Sequence, residues 1–280
     1  MRRKAPEGKG KTLSRTGDVR SDFTKEQLAG IGAAALVFNT LEDHLESLFA
    51  SATQIPSWLT AQVSSRINGL EGTVAIIRAA LAEAKMVFPG DNQIADDMDS
   101  LGSALDKFLE FKGIRDTLIH ARVINAAAAI ARGANRRGSK PWEVWLSVAA
   151  LEAYYRHSTA LIKVLEEGAK LLAAVTALQS FGISEPDKSK LESLVQSKST
   201  QFRHEVQVLQ SLLPMPEFPD EHEIQEAVDR WRVAQQAELA DWMRPFQQQP
   251  SRAAFHIRSK VTVNAVAKSP SAPKKPSKQD

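Results

Sequence analysis

Within six positions, Arg115, Asp116 and His120 set a permanent cation, a carboxylate and an imidazole side by side. Asp116 and His120 are four apart, so on a helix their side chains are neighbours on one face, and a carboxylate there fixes the tautomer of an imidazole. Arg115 lies about 140° round the helix from His120, and its long side chain reaches the same groove. A guanidinium stabilises the charge that grows on a phosphate under attack, and an imidazole moves protons near neutral pH. The chemistry this trio suits is phosphodiester cleavage. The same spacing also describes a polar helix face, with snorkelling arginines and a modest Asp116–His120 contact.

Charge is distributed unevenly around the trio. Residues 1–20 carry seven Lys/Arg against Glu7 and Asp18, a net +5, and residues 251–280 carry seven against Asp280, a net +6. The whole chain is +3, which leaves −8 for residues 21–250. Inside that acidic body, residues 112–140 hold Lys112, Arg115, Arg122, Arg132, Arg136, Arg137 and Lys140 against Asp116 alone, a net +6. A basic island that coincides with a histidine is the footprint of an RNA or nucleotide phosphate site. The short basic tails either hold a polyanion loosely or simply keep the chain in solution.

The elements that must position these residues read as helices. Thr24, with Gln27 three places on, has the pattern of a capping box, and Ile31, Ala34, Phe38, Leu41, Leu45 and Leu48 then step by three and four as one buried stripe. After Pro56-Ser57, the run Leu59, Val63, Ile67, Leu70, Val74, Ile77, Leu81, Ala84 and Phe88 predicts a single helix ended by Pro89-Gly90, roughly 45 Å long. A third helix is expected from about Asn92 to Arg132, with a break at Gly113, where a helix-interior glycine costs about 1 kcal/mol. A Gly- and Arg-rich loop follows to Pro141. Trp142-Glu-Val-Trp145 reads as a short extended piece before a helix capped by Ser147, in preference to a helix begun at Pro141.

Two more helices are expected from Ser184 and after the Pro214, Pro216 and Pro219 connector. No alternating segment of convincing length is present, so the pattern predicts an all-α fold: an up-and-down four-helix bundle with two additional C-terminal helices and disordered basic tails. The expected division is a tail at 1–21, a bundle at 22–182, a helical extension at 183–250 and a tail at 251–280.

Other features carry less. There are no cysteines, which excludes disulfides and thiolate metal sites and fits a reducing cytoplasm. The start Met-Arg-Arg-Lys does not read as a secretory signal, and Ala29–Phe38 is about half the length of a membrane span, so a soluble, cytoplasmic protein without membrane contact is expected. Gly30-Ile-Gly32 lacks a strand before it and a third glycine. Asp91, Asp96, Asp97 and Asp99 read as carboxylates favoured by a helix N-terminus rather than as a metal site. His44, His204 and His222 lack metal-ligand spacing and read as surface or boundary residues. Tyr154, Tyr155, Arg156 and His157 form an aromatic and basic group that reads as bundle core with a polar edge. No cofactor and no metal is expected.

Arg115-Asp116-x-x-x-His120, late in the third of a set of helices, resembles the Arg-x(4–6)-His motif of the HEPN superfamily (higher eukaryotes and prokaryotes nucleotide-binding domains). The flanking Phe-Lys-Gly-Ile-Arg-Asp-Thr-Leu-Ile-His-Ala-Arg is also similar to its members, and the resemblance covers roughly residues 24–178. It implies a metal-independent endoribonuclease, often a toxin with a cognate antitoxin or a defence effector, working as a homodimer in which two copies of the motif face one cleft. His120 would be the general acid/base, Arg115 would hold the scissile phosphate, Asp116 would orient His120, and RNA would run over Lys112, Arg122, Arg132, Arg136, Arg137 and Lys140. The family also includes inactive members, so the resemblance equally admits a non-catalytic module that binds a nucleotide or protein partner. A structural helical protein with nucleic-acid-touching tails is the third reading.

Overall fold

The computed structural model describes residues 2–4, 23–64, 66–67, 69–87, 92–120, 122–125, 129–132, 142–178 and 184–247. These are mostly helical. Helix α1 (Lys25–Thr53) opens on the expected capping box: Gln27 N donates to Thr24 Oγ1 (3.1 Å) and Thr24 N donates to Gln27 Oε1 (2.9 Å). Its stripe of Ala34, Val37, Phe38, Leu41, Leu45, Leu48 and Phe49 is buried.

The helix expected over 57–88 is two helices, α2 (Ser57–Ser64) and α3 (Gly69–Val87). A turn at Arg66 and Ile67 separates them, closed by bonds from Arg66 N to Val63 O and from Ile67 N to Ser64 O. Gly69 follows with φ +69°, a conformation that costs a glycine little. Gly72 sits so close under the turn that a Cβ there would lie 2.8 Å from the Ile67 carbonyl oxygen. The apolar spacing continues across the break because Ile67 and Leu70 still pack on the core.

Helix α4 (Asn92–His120) differs from expectation in the opposite sense, running unbroken through Gly113. Phe111 and Ile114 are fully buried on either side of that glycine, and their burial at about 25 cal/mol per Å² outweighs its helical cost. The helix ends at His120, not near Arg132. The next residues are rich in β-branched side chains that suit a pleated surface, and Arg122–Asn125 forms a strand.

Four short strands, β1 (Arg2–Lys4), β2 (Arg122–Asn125), β3 (Ile130–Arg132) and β4 (Trp142–Trp145), pair antiparallel in the order β1-β4-β3-β2. The extended reading of 142–145 holds, whereas the other three strands carry no alternating pattern that would announce them. Arg2–Lys4 departs from the disorder expected of the first tail; the rest of both tails and the Gly/Arg-rich loop lie outside the described residues. Ile130, Ala131, Val144 and Leu146 are buried, and β3 and β4 contact α4. The sheet therefore joins the fold beside the helix that carries Arg115 and His120.

Helix α5 (Val148–Leu178) starts where expected, with Ala150 N donating to Ser147 Oγ at 3.1 Å. It is buried over more than one stripe because α1 and α6 (Glu185–Ser211) both pack on it. Small residues permit the close approaches: a Cβ at Gly30 would lie 3.0 Å from Leu151, and one at Gly168 2.7 Å from Leu101. Contacts of Gly168 with Leu101 and of Tyr154 with Phe111 run α4 and α5 antiparallel.

Asp97 on α4 anchors α6. Ser199 Oγ donates to Oδ2 and Arg203 Nε to Oδ1, both at 2.6 Å, and Arg203 Nη2 donates to the Gln93 carbonyl at 2.8 Å. Asp97 is thus a buried docking residue, and Asp99 pairs with Lys85 of α3. Neither is simply a solvated acid at a helix start, which corrects the dipole reading for this pair. Helix α7 (Glu221–Gln247) opens on a second capping box between Asp220 and Glu223. Within it the chain divides into two units, Met1–Arg232 and Val233–Asp280; in the second, residues 233–247 are helical and leave Val233 and Leu239 exposed. No helix among the described residues is long and apolar enough to cross a membrane.

Candidate functional site

The buried stripe Leu105, Phe108, Phe111 and Ile114 seats α4 in the core and leaves Arg115 at its margin, 22% exposed. Phe38 of α1 stacks on Phe108 with centroids 5.4 Å apart, and the Arg115 guanidinium lies over the Phe38 ring at 5.1 Å. A cation held over an aromatic face gains about 0.5–2 kcal/mol, more as it is desolvated. Arg115 Nη1 donates to Asp116 Oδ1 at 2.9 Å, and Nη2 donates to Glu42 Oε1 of α1 at 3.5 Å. Its Nε is buried and has no hydrogen-bond partner among the described residues.

Asp116 also meets Lys112 Nζ at 3.4 Å, and Lys112 meets Glu71 of α3 at 3.5 Å. A chain of alternating charge, Glu71–Lys112–Asp116–Arg115–Glu42, therefore crosses α3, α4 and α1. His120 is the last residue of α4 and is exposed. Among the described residues its imidazole makes no hydrogen bond or ion pair. The structure thus joins Arg115 to Asp116, and the Asp116 carboxylate serves the two cations on its own helix rather than the imidazole one turn on.

Of the residues expected to carry RNA, Lys112 belongs to this charge chain. Arg122 and Arg132 lie in β2 and β3, and Arg136, Arg137 and Lys140 lie outside the described residues. Strand register pairs Arg122 with Arg132, Arg132 with Glu143, and Glu143 with Arg3. The backbone register thus places Arg122, Arg132, Glu143 and Arg3 at successive opposed positions across the four strands.

Two residues of the site were not legible in the sequence as part of it, Phe38 and Glu42, while Tyr154 belongs to the aromatic and basic group already singled out there. Glu42 is half-buried, and burial pushes its carboxyl above the ordinary carboxylate value; Arg115 pulls it back, and Asp116, Asp43 and Glu46 push it further up. Tyr154 is fully buried, with its ring 5.0 Å from Phe111 and its hydroxyl donating to the Phe111 carbonyl at 3.4 Å. Burial pushes that hydroxyl well above the usual phenol value, and the charges of Arg115 and Asp116 reach it.

The rest of the aromatic and basic group of α5 divides as a core with a polar edge. Tyr155 and Arg156 are exposed, while His157 is buried with Nε2 2.8 Å from the Leu213 carbonyl and Nδ1 without a partner. His204 and His222 are exposed, the latter 3.6 Å from Glu226, and His44 is half-buried. Comparison of the chain with protein-family models, with curated proteins and with solved structures finds no match.

Proposed function

We propose that the chain is a HEPN-like, metal-independent endoribonuclease, with α1, α3, α4 and α5 as its four-helix bundle and Arg115 and His120 as its catalytic pair. The observation that carries this reading is the setting of Arg115: a half-buried guanidinium held by Phe38 and Glu42, five residues before an exposed histidine at the end of the same helix. A guanidinium so held is pre-ordered for a phosphate, because its position is set before the ligand arrives.

In the reaction the ribose 2′-oxygen bonds to phosphorus while the bond from phosphorus to the 5′-oxygen breaks. His120 takes the 2′-hydroxyl proton, and the leaving 5′-oxygen takes a proton from the His120 of a second copy facing the same cleft. Arg115 neutralises the charge on the phosphorane, and the product is a 2′,3′-cyclic phosphate. Lys112, Arg122 and Arg132, with Arg136, Arg137 and Lys140 of the loop, hold the RNA backbone. A homodimer supplies the second histidine, and an antitoxin chain would restrain the activity in the cytoplasm.

The second reading is a non-catalytic HEPN-like module that binds a nucleotide or protein partner. One observation favours it: Asp116 is engaged by Arg115 and Lys112, which leaves His120 without a carboxylate to orient it. Total RNA incubated in EDTA with wild type, Arg115→Ala and His120→Ala separates the two. Loss of cleavage in both variants supports the nuclease. RNA left intact by wild type, with binding that Arg115→Ala abolishes and His120→Ala spares, replaces the nuclease with the binding module.

A further inference from the structure

Arg115 already holds an anion on each edge of its fork. On one edge Asp116, its neighbour in sequence, sits at 2.9 Å and is also tied to Lys112. On the other edge Glu42 arrives from α1 at 3.5 Å, the longer and single contact. A guanidinium donates to carboxylate and phosphate oxygens in the same planar geometry. We infer that Glu42 is the resident occupant of a phosphate-diester subsite on the Nη2 edge of Arg115, and that a phosphate binds there by displacing the Glu42 carboxylate.

This inference rests on the site read above and adds the residue that sets its selectivity for anions. Three features of the site favour exchange at Glu42 over exchange at Asp116. The Glu42 contact spans two helices, so swinging it away breaks one ion pair and no helix. The guanidinium itself stays in place, since Phe38 and Asp116 hold it from the other sides. The Glu42 side chain is only 28% exposed, and burial disfavours its charged form; the carboxyl accordingly lies above its ordinary value. The charged groups that act on it are Asp43 and Glu46 of α1 and Arg115 and Asp116 of α4. Three of the four are acids, so protonating Glu42 relieves an excess of negative charge as well as vacating the subsite. Anion binding at Arg115 therefore strengthens as pH falls, and the part of that gain due to Glu42 is complete once its carboxyl is neutral.

The probe is sulfate, which stays dianionic across the range and needs no catalysis. The readout is the Arg115 Nε–Hε NMR resonance, assigned by its loss in Arg115→Ala, followed through sulfate titrations at constant ionic strength at pH 7.5 and near pH 5. At pH 7.5 Glu42→Gln should bind sulfate at least about five-fold more tightly than wild type, with the difference shrinking at the lower pH. Asp43→Asn, which removes the same formal charge from the exposed neighbour, should track wild type. Equal binding by wild type and Glu42→Gln at both pH values overturns the inference, as does an equal gain in Asp43→Asn, which would reduce the effect to net charge. If Glu42→Gln melts below wild type, the wild-type titration decides: affinity that does not rise as the pH is taken down to about 4.5, the ordinary value, overturns the inference. The RNA assay is independent. Tighter sulfate binding by Glu42→Gln with intact RNA keeps the anion site and removes the nuclease, whereas Arg115-dependent cleavage with unaltered sulfate binding does the reverse.

Discussion

Helix α4 carries a carboxylate–guanidinium cluster towards each end, eighteen residues apart, and the two are built for different work. At Asp97 one acid meets one arginine and one hydroxyl. Both carboxylate oxygens accept short bonds, a second Arg203 nitrogen reaches a backbone carbonyl, and the aspartate side chain is 2% exposed. At Arg115 acids outnumber what the guanidinium can hold closely. One contact stretches to 3.5 Å, Nε has no partner among the described residues, and the Glu42 carboxylate, at 28% exposure, is less enclosed than Asp97. A cluster that satisfies itself has no bond left for a ligand and serves to fasten α6 to α4. A cluster that is half-satisfied and half-open keeps its capacity to bind.

That contrast is broken most directly by removing each arginine in turn. Arg203→Ala strands the Asp97 charge in the interior, and loss of one member of a buried pair costs about 3–5 kcal/mol. Arg115→Ala removes ion pairs to carboxylates that still reach solvent, each worth about 0.2–1 kcal/mol, and an aromatic contact of about 0.5–2 kcal/mol, and it strands no fully buried acid. Urea unfolding followed by circular dichroism should therefore show a markedly larger loss for Arg203→Ala, while sulfate binding is lost only in Arg115→Ala. Equal losses of stability would mean that Arg115 is a structural residue like Arg203.

The two clusters also show why the sequence revealed the fold better than the site. Local signals were readable: Thr24 with Gln27, and Ser147 ahead of α5, are side-chain caps that act within three residues. Arg115, Asp116 and His120 were readable for the same reason. Glu42, by contrast, lies 73 positions from Arg115, and Arg203 lies 106 positions from Asp97, so nothing local distinguishes either carboxylate from a solvated one. The sheet failed in the same way. Its strands are three or four residues long, and Arg2–Lys4 becomes a strand only by pairing with Trp142–Trp145. Gly113 and Gly69 show the converse error. Two glycines with one propensity part company because buried neighbours hold the first in a helix, while the second adopts a positive φ after a turn.

A smaller effect sharpens the contrast through pH. Burial holds the Glu42 carboxyl above 4.5, its ordinary value, so the folded protein keeps that proton more tightly than the unfolded chain does. The resulting stability is fully present below that ordinary value and is lost as pH rises through the folded value. At neutral pH the ionised Glu42 consequently weighs against folding, its contact with Arg115 included. Glu42→Gln should raise Tm at pH 7.5 and lose that advantage below about pH 4.5. A Tm that falls at pH 7.5 would show that the ion pair outweighs the burial of its carboxylate, and that Glu42 is a fastening more like Asp97.

The smallest effect asks whether the two clusters are independent. Gly102 lies on α4 between them, and a Cβ there would meet nothing within 4 Å. Gly102→Ala should stabilise the protein by about 0.5–1 kcal/mol, from helix propensity and the reduced freedom of the unfolded chain, without touching Asp97 or Arg115. Sulfate affinity at Arg115 should then be unchanged, because the subsite is controlled by one side chain of α1 and not by the stiffness of α4. A shift in that affinity would show that the helix transmits strain from the α6 anchor to the anion site, and that open and closed clusters are two ends of one device.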